Sequence, residues 1–171
     1  MTSTPDVERA LLAEVANKAD LVWVQLPGKP SRGMWHVWHN DAVLLVTGGL
    51  EQPDPGLVDG GTVLVILRSK DKATRVLTVS AVARELNTTS DDWSEAAKAL
   101  HPKRLNPVDG EAQPDRWRNE SVLWELRPSW STEEGPGRMS ADSHRAEPVP
   151  TPATTSMRRP FHVGKATKRR K

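Results

Sequence analysis

The spacing of apolar residues changes along the chain, and each change marks an element. Leu12, Val15, Ala16 and Ala19 recur at i, i+3, i+4 and i+7, the stripe of a helix buried on one side. Thr4 as N-cap, Pro5 at the first helical position, and Asp6 and Glu8 in the first turn start that helix. From residue 21 the period drops to two. Val22, Val24 and Leu26 share one face of a strand over 21–26, with Trp23 and Gln25 on the other. The run Pro27-Gly28-Lys29-Pro30-Ser31-Arg32-Gly33 is a loop. Strands follow over 34–39 and 42–47, joined by Asn40-Asp41, a pair suited to a tight two-residue hairpin because both types tolerate positive φ. Gly48-Gly49 and the proline-broken stretch 51–56 end regular structure.

The remaining elements follow in the same way. Strands over 62–68 and 75–86 are joined by a turn at 71–74. Thr89 and Ser90 offer caps for a second helix, whose stripe is Trp93, Ala96, Ala97 and Leu100 and whose stop is Pro102. Residues 102–114 hold three prolines and one glycine and form an irregular connection. A short helical piece over 114–120 precedes the last strand, 121–127, with Val122, Trp124 and Leu126 on one face.

Six strands spaced mainly by hairpin-like turns predict a mainly-β fold, an antiparallel sheet closed as a small barrel with two or three flanking helices. Two strands, Val43-Leu44-Leu45-Val46 and Val63-Leu64-Val65-Ile66-Leu67, are apolar on both faces. A barrel needs only the inward face apolar, so something must cover the outside. The helices supply part of that cover; a second copy of the chain is the other economical source, which predicts a homodimer.

From Ser131 to Lys171 only Val149, Phe161 and Val163 represent the Ile/Leu/Val/Phe group. Such a stretch buries too little surface to offset ordering its backbone, at about 1–2 kcal/mol per residue. The expected organisation is a folded domain over 1–130 and a disordered tail over 131–171, with an extended spacer at Glu147-Pro148-Val149-Pro150-Thr151-Pro152. Charge divides the same way. Residues 158–171 carry seven basic residues and no acid; 24 Lys+Arg less those seven leave 17 against 22 Asp+Glu before them, a net of −5. There is no cysteine, which excludes disulfides, thiolate metal sites and a thiol nucleophile. No apolar run approaches the roughly 18–20 residues of a membrane span, and residues 1–8 are polar, without a signal-peptide core. The expectation is a cytoplasmic protein without a membrane partner.

The order helix, five antiparallel strands with a break after the third, helix, closing strand resembles the FMN-binding split barrel of the pyridoxamine-5′-phosphate-oxidase-like family. The matching segments are Ala19-Asp20-Leu21-Val22-Trp23-Val24, Met34-Trp35-His36-Val37-Trp38-His39, Asp41-Ala42-Val43-Leu44-Leu45-Val46-Thr47, and the strands over 62–69 and 79–86. The resemblance spans about 1–128. It implies a homodimer with FMN or a deazaflavin in a groove between subunits, the phosphate held by basic residues and hydroxyls near the third and fourth strands. On this chain those are Thr47, Arg68, Ser69 and Lys70, with His36 and Trp38 lining the ring. It implies an oxidoreductase acting on an unidentified small molecule; no catalytic residue is nominated, because the cofactor carries the chemistry.

The residues themselves admit plainer readings. In Trp35-His36-Val37-Trp38-His39, alternation puts His36 and Trp38 on one face and Trp35, Val37 and His39 on the other, so the two histidines cannot share a metal, and no metal site is expected. Trp38 beside His36 suits a planar-cofactor groove or ordinary barrel packing. Arg68-Ser69-Lys70 is a phosphate-sized donor set or a solubilising turn. In the irregular connection, Arg104 and Asn106 could clamp a carboxylate or phosphate, while Arg116 paired with Asp109 would fix the loop. The basic tail suits weak, salt-sensitive nucleic-acid binding, or a solvated appendage. Two other functions stand beside the flavin reading: a non-enzymatic barrel serving as a protein-interaction module, and a nucleic-acid-associated protein.

Overall fold

The computed structural model describes residues 5–142 except residue 73. Its elements, in chain order, are α1 Pro5–Lys18, β1 Leu21–Gln25, β2 Arg32–Trp35, β3 Val37–His39, β4 Ala42–Thr47, β5 Thr62–Arg68, β6 Arg75–Glu85, α2 Asp91–Leu100, α3 Gln113–Glu120 and β7 Val122–Glu134, with short 3-10 turns between α2 and α3. No helix is long and apolar enough to cross a membrane among the described residues.

The seven strands form one antiparallel sheet in the order β2-β1-β5-β6-β7-β4-β3. Its two outer strands, β2 and β3, are separated in sequence only by His36. They are therefore two halves of one bent run, the first paired with β1 and the second with β4. The sheet is a nearly closed split barrel: the expected six-strand barrel, with its second strand broken at His36. Closure leaves little unpaired edge. The Asn40-Asp41 turn has φ of 47° and 59° at its two residues, the double positive φ of a two-residue hairpin.

The barrel interior is filled by alternating residues such as Val22, Val24, Val43, Leu45, Val65 and Leu126, each fully buried, and α1 plugs it with Leu12 and Ala16. A second core lies outside the barrel wall. There Leu44 and Val46 of β4 and Leu123 of β7 pack against Trp93, Ala96, Ala97 and Leu100 of α2 and Trp117 of α3. The Ser90 hydroxyl accepts from Trp93 N–H at 3.1 Å, seating α2 by the expected N-cap. Strand β4 is thus apolar on both faces because it serves two cores, and its outer cover comes from this chain. The second core takes nothing from β5.

The domain extends beyond the expected boundary at residue 130. β7 continues to Glu134, and Arg75 bonds the Glu134 carboxylate at 3.0 Å and the carbonyls of Ser140 and Asp142 at 2.9 and 3.0 Å. Polar contacts of this kind are invisible to an apolar count. The rest of the expected tail, 143–171, lies outside the described residues.

Candidate functional site

Arg68, Ser69 and Lys70 end β5 beside the start of β1. Antiparallel pairing of Trp23 with Ile66 sets the outward side chains of the two strands side by side, two residues along. The Arg68 guanidinium accordingly lies 4.6 Å from the centre of the Trp23 ring, a cation–π contact. Arg68 Nε is buried and has no partner among the described residues. Ser69 N–H donates to the Thr74 carbonyl at 2.8 Å, and Lys70 Nζ stands 4.0 Å from the Asp20 carboxylate, both side chains largely exposed. With Ala19, Asp20 and Leu21 these residues line a cleft of about 260 Å³.

The other expected site residues sit elsewhere. His36 and Trp38 point into the barrel, on the one face that alternation assigned them. Trp38 is half-buried against the barrel core. His36 is 5% exposed; its Nε2 donates to the Ala16 carbonyl at 2.9 Å, and its Nδ1 is buried without a partner among the described residues. Burial holds the imidazole pKa below its ordinary value, opposed in part by the Ala16 hydrogen bond and the Asp20 charge. Thr47 is buried at the end of β4, pairing with Val122 and bridging to Gln52. His36, Trp38 and Thr47 therefore do not line the Arg68 cleft. Trp23, which does, carried no sequence signal beyond its place on the outer face of a strand.

A second polar centre forms around Glu51, whose side chain is 3% exposed. Its carboxylate accepts from Arg104 Nε at 2.7 Å, Arg116 Nη2 at 3.0 Å and Trp117 Nε1 at 3.0 Å. Burial pushes the Glu51 pKa up, but the hydrogen bonds from Trp117, Arg104 and Arg116 outweigh it and hold the group below the usual carboxylate range. Arg116 also bonds Asp109 at 2.7 Å, the expected loop-fixing pair. Arg104 does clamp a carboxylate, one supplied by the chain itself. Glu51, Gln52, Trp35, Arg104 and Leu105 surround a second cavity of about 260 Å³.

The Arg68 cleft combines a guanidinium, a hydroxyl, an ammonium and an indole face, with the Asp20 carboxylate also in its lining. That set fits a phosphate attached to a planar group. Its volume falls below the roughly 300–1,000 Å³ of small-molecule pockets.

No protein-family model matches the chain, and no curated protein matches it. Among solved structures, it is similar to HutZ, the heme storage protein from Vibrio cholerae, at TM-score 0.49 and 12% identity over 77% of this chain and 94% of that one. It is similar to the FAD binding protein from Mycobacterium smegmatis at TM-score 0.49 and 18% identity over 70% and 89%. For the FAD and heme binding protein from the same organism the values are 0.43 and 11% over 86% and 89%. The ligands named there belong to those proteins.

Proposed function

We propose that this chain is a flavin-binding split barrel that works as a homodimer, with the phosphate of FMN or a deazaflavin on Arg68, Ser69 and Lys70. The observation that carries the reading is the cleft where Arg68, with an unpartnered buried Nε, lies on Trp23 beside Ser69 and Lys70. The family resemblance of the strand order supports it. A bound flavin supplies hydride-transfer chemistry toward a small molecule. The chain's own part is to bind and orient: Arg68 and Lys70 neutralise phosphate charge, the Ser69 hydroxyl donates to it, and Trp23 walls the cleft. His36, Trp38 and Thr47 have no part in this reading, because they face the interior.

A second copy supplies the missing wall. Alternation points Leu21, Leu64 and Val82 outward on β1, β5 and β6, where Leu21 and Val82 are 48% and 43% exposed. This sheet face adjoins the cleft and lies away from the second core.

Fluorescence titration of FMN and of a deazaflavin with the full chain, beside light scattering, tests the reading. Saturable quenching by a dimer is expected. A folded chain that leaves both cofactors unquenched overturns the cofactor assignment, and a cofactor-binding monomer overturns the shared groove.

A further inference from the structure

Three donors, from Arg104, Arg116 and Trp117, converge on the two oxygens of Glu51. Arg116 Nε and Nη2 also serve Asp109, at 2.7 and 3.3 Å. Arg116 Nη1 is still left over, buried and without a partner among the described residues, on a side chain only 12% exposed. Two guanidinium groups and an indole N–H converging on one buried anion are the construction proteins use for oxyanions. A planar carboxylate underfills this one; a tetrahedral ion has oxygens to spare for the leftover donor.

The place of Glu51 in its loop matters as much. Gly48 and Gly49 hold φ of 83° and 57°, the left-handed conformation that glycine adopts without strain. After them Leu50 stands 63% exposed, while Gly48 N–H donates to the Gln52 carbonyl at 3.0 Å, the Ser121 hydroxyl donates to the Gly48 carbonyl at 3.3 Å, and the Glu51 and Gln52 side chains turn inward. Glu51 is also a wall of the cavity lined by Trp35, Gln52, Arg104 and Leu105. Glu51 and Arg104 thus belong both to the wall of that cavity and to the cage.

We propose that Arg104, Arg116 and Trp117 form an oxyanion site whose resident anion is the chain's own Glu51 carboxylate, and that a tetrahedral oxyanion of phosphate size binds there when Glu51 is displaced. The site is separate from the Arg68 cleft and does not depend on the flavin reading. Glu51 acts as a tethered competitor, so the wild-type chain binds inorganic phosphate weakly at this site and loss of the carboxylate strengthens binding.

The test is calorimetric titration of inorganic phosphate into full-length chains that also carry Arg68→Ala and Lys70→Ala, which silences the other cleft. Adding Glu51→Ala is expected to tighten phosphate binding at least tenfold, and adding Arg104→Ala to that chain to abolish the gain. A folded Glu51→Ala chain that binds phosphate no more tightly than its parent overturns the proposal. So does a gain that survives Arg104→Ala. If Glu51→Ala fails to fold in chloride, recovery of its circular dichroism by phosphate at equal ionic strength is the expected result, and failure to recover overturns the proposal.

Discussion

Gln52 uses its side-chain amide as a stand-in for a β-strand against Trp35: Trp35 N–H donates to Gln52 Oε1 at 2.7 Å, and Gln52 Nε2 donates to the Trp35 carbonyl at 2.8 Å. Trp35 is the last residue before the break at His36, where strand pairing passes from β1 to β4. Backbone groups without a ladder partner there would cost free energy. The amide carries one donor and one acceptor in the geometry of a peptide, so it closes both bonds at once.

Gln52→Ala is therefore expected to destabilise the fold by about 1–3 kcal/mol, the range for leaving part-buried polar groups unpaired. Gln52→Glu keeps the acceptor but turns a carboxylate oxygen toward the Trp35 carbonyl, and is expected to be at least as destabilising as Gln52→Ala at pH 7. Urea unfolding monitored by tryptophan fluorescence measures both. Equal stabilities for all three chains would count against the strand-mimic role.

The buried His36 makes stability depend on pH in a defined direction. Its folded pKa lies below its ordinary value because burial disfavours the imidazolium. The unfolded chain then binds more protons than the folded chain between that lowered pKa and about 6.5, so stability rises with pH across this window. It is fully present above about pH 6.5 and lost as pH falls toward the folded pKa. His36→Gln is expected to flatten this part of the profile while leaving the steeper loss below about pH 4.5, where carboxylates such as Glu51, Glu95 and Asp109 protonate. Denaturant midpoints from pH 4 to 8 compare the two chains.

Trp117→Phe removes one of the three donors to Glu51 and keeps most of the buried ring. A hydrogen bond to a charged group contributes about 1.5–3 kcal/mol, and a loss of that size is expected in urea. Because Arg104 and Arg116 remain, the Glu51 pKa should rise without reaching the value of a buried, unpaired carboxyl. Carbon-13 NMR of the Glu51 carboxyl reads this directly, and an unchanged pKa would show that the indole contributes nothing.

Arg68→Ala tests the flavin reading at one residue. Loss of a charge-assisted bond to phosphate, about 1.5–3 kcal/mol, corresponds to a roughly tenfold to hundredfold weaker Kd for FMN. Riboflavin, which lacks the phosphate, should be affected far less. Lys70→Ala should cost less than Arg68→Ala, because its exposed ammonium is a solvated point charge already near Asp20. Equal loss for FMN and riboflavin would move the phosphate off this residue.

Much of the fold is legible in the order of residue types, because its signals are local. Period-two alternation from residue 21, the Asn40-Asp41 turn and the Ser90 cap each act within a few residues, and each appears in the structure. The facing of His36 with Trp38 also follows from alternation, although the kink at His36 does not. The doubly apolar β4 correctly signals a need for cover. On β4 that cover is α2 and α3, a choice that depends on where a helix forty residues later comes to rest.

The chain order alone determined the barrel strands, their inward faces and the charge difference between body and tail, since side-chain period and composition need no partner to act. Tertiary structure decided which polar residues meet. Glu51 reaches Arg104, Arg116 and Trp117 across 53, 65 and 66 positions, and Trp23 reaches Arg68 across 45. No local preference encodes such pairings. They exist because the closed sheet and its helices bring those positions within hydrogen-bonding range, where burial makes an unpaired charge too costly to keep.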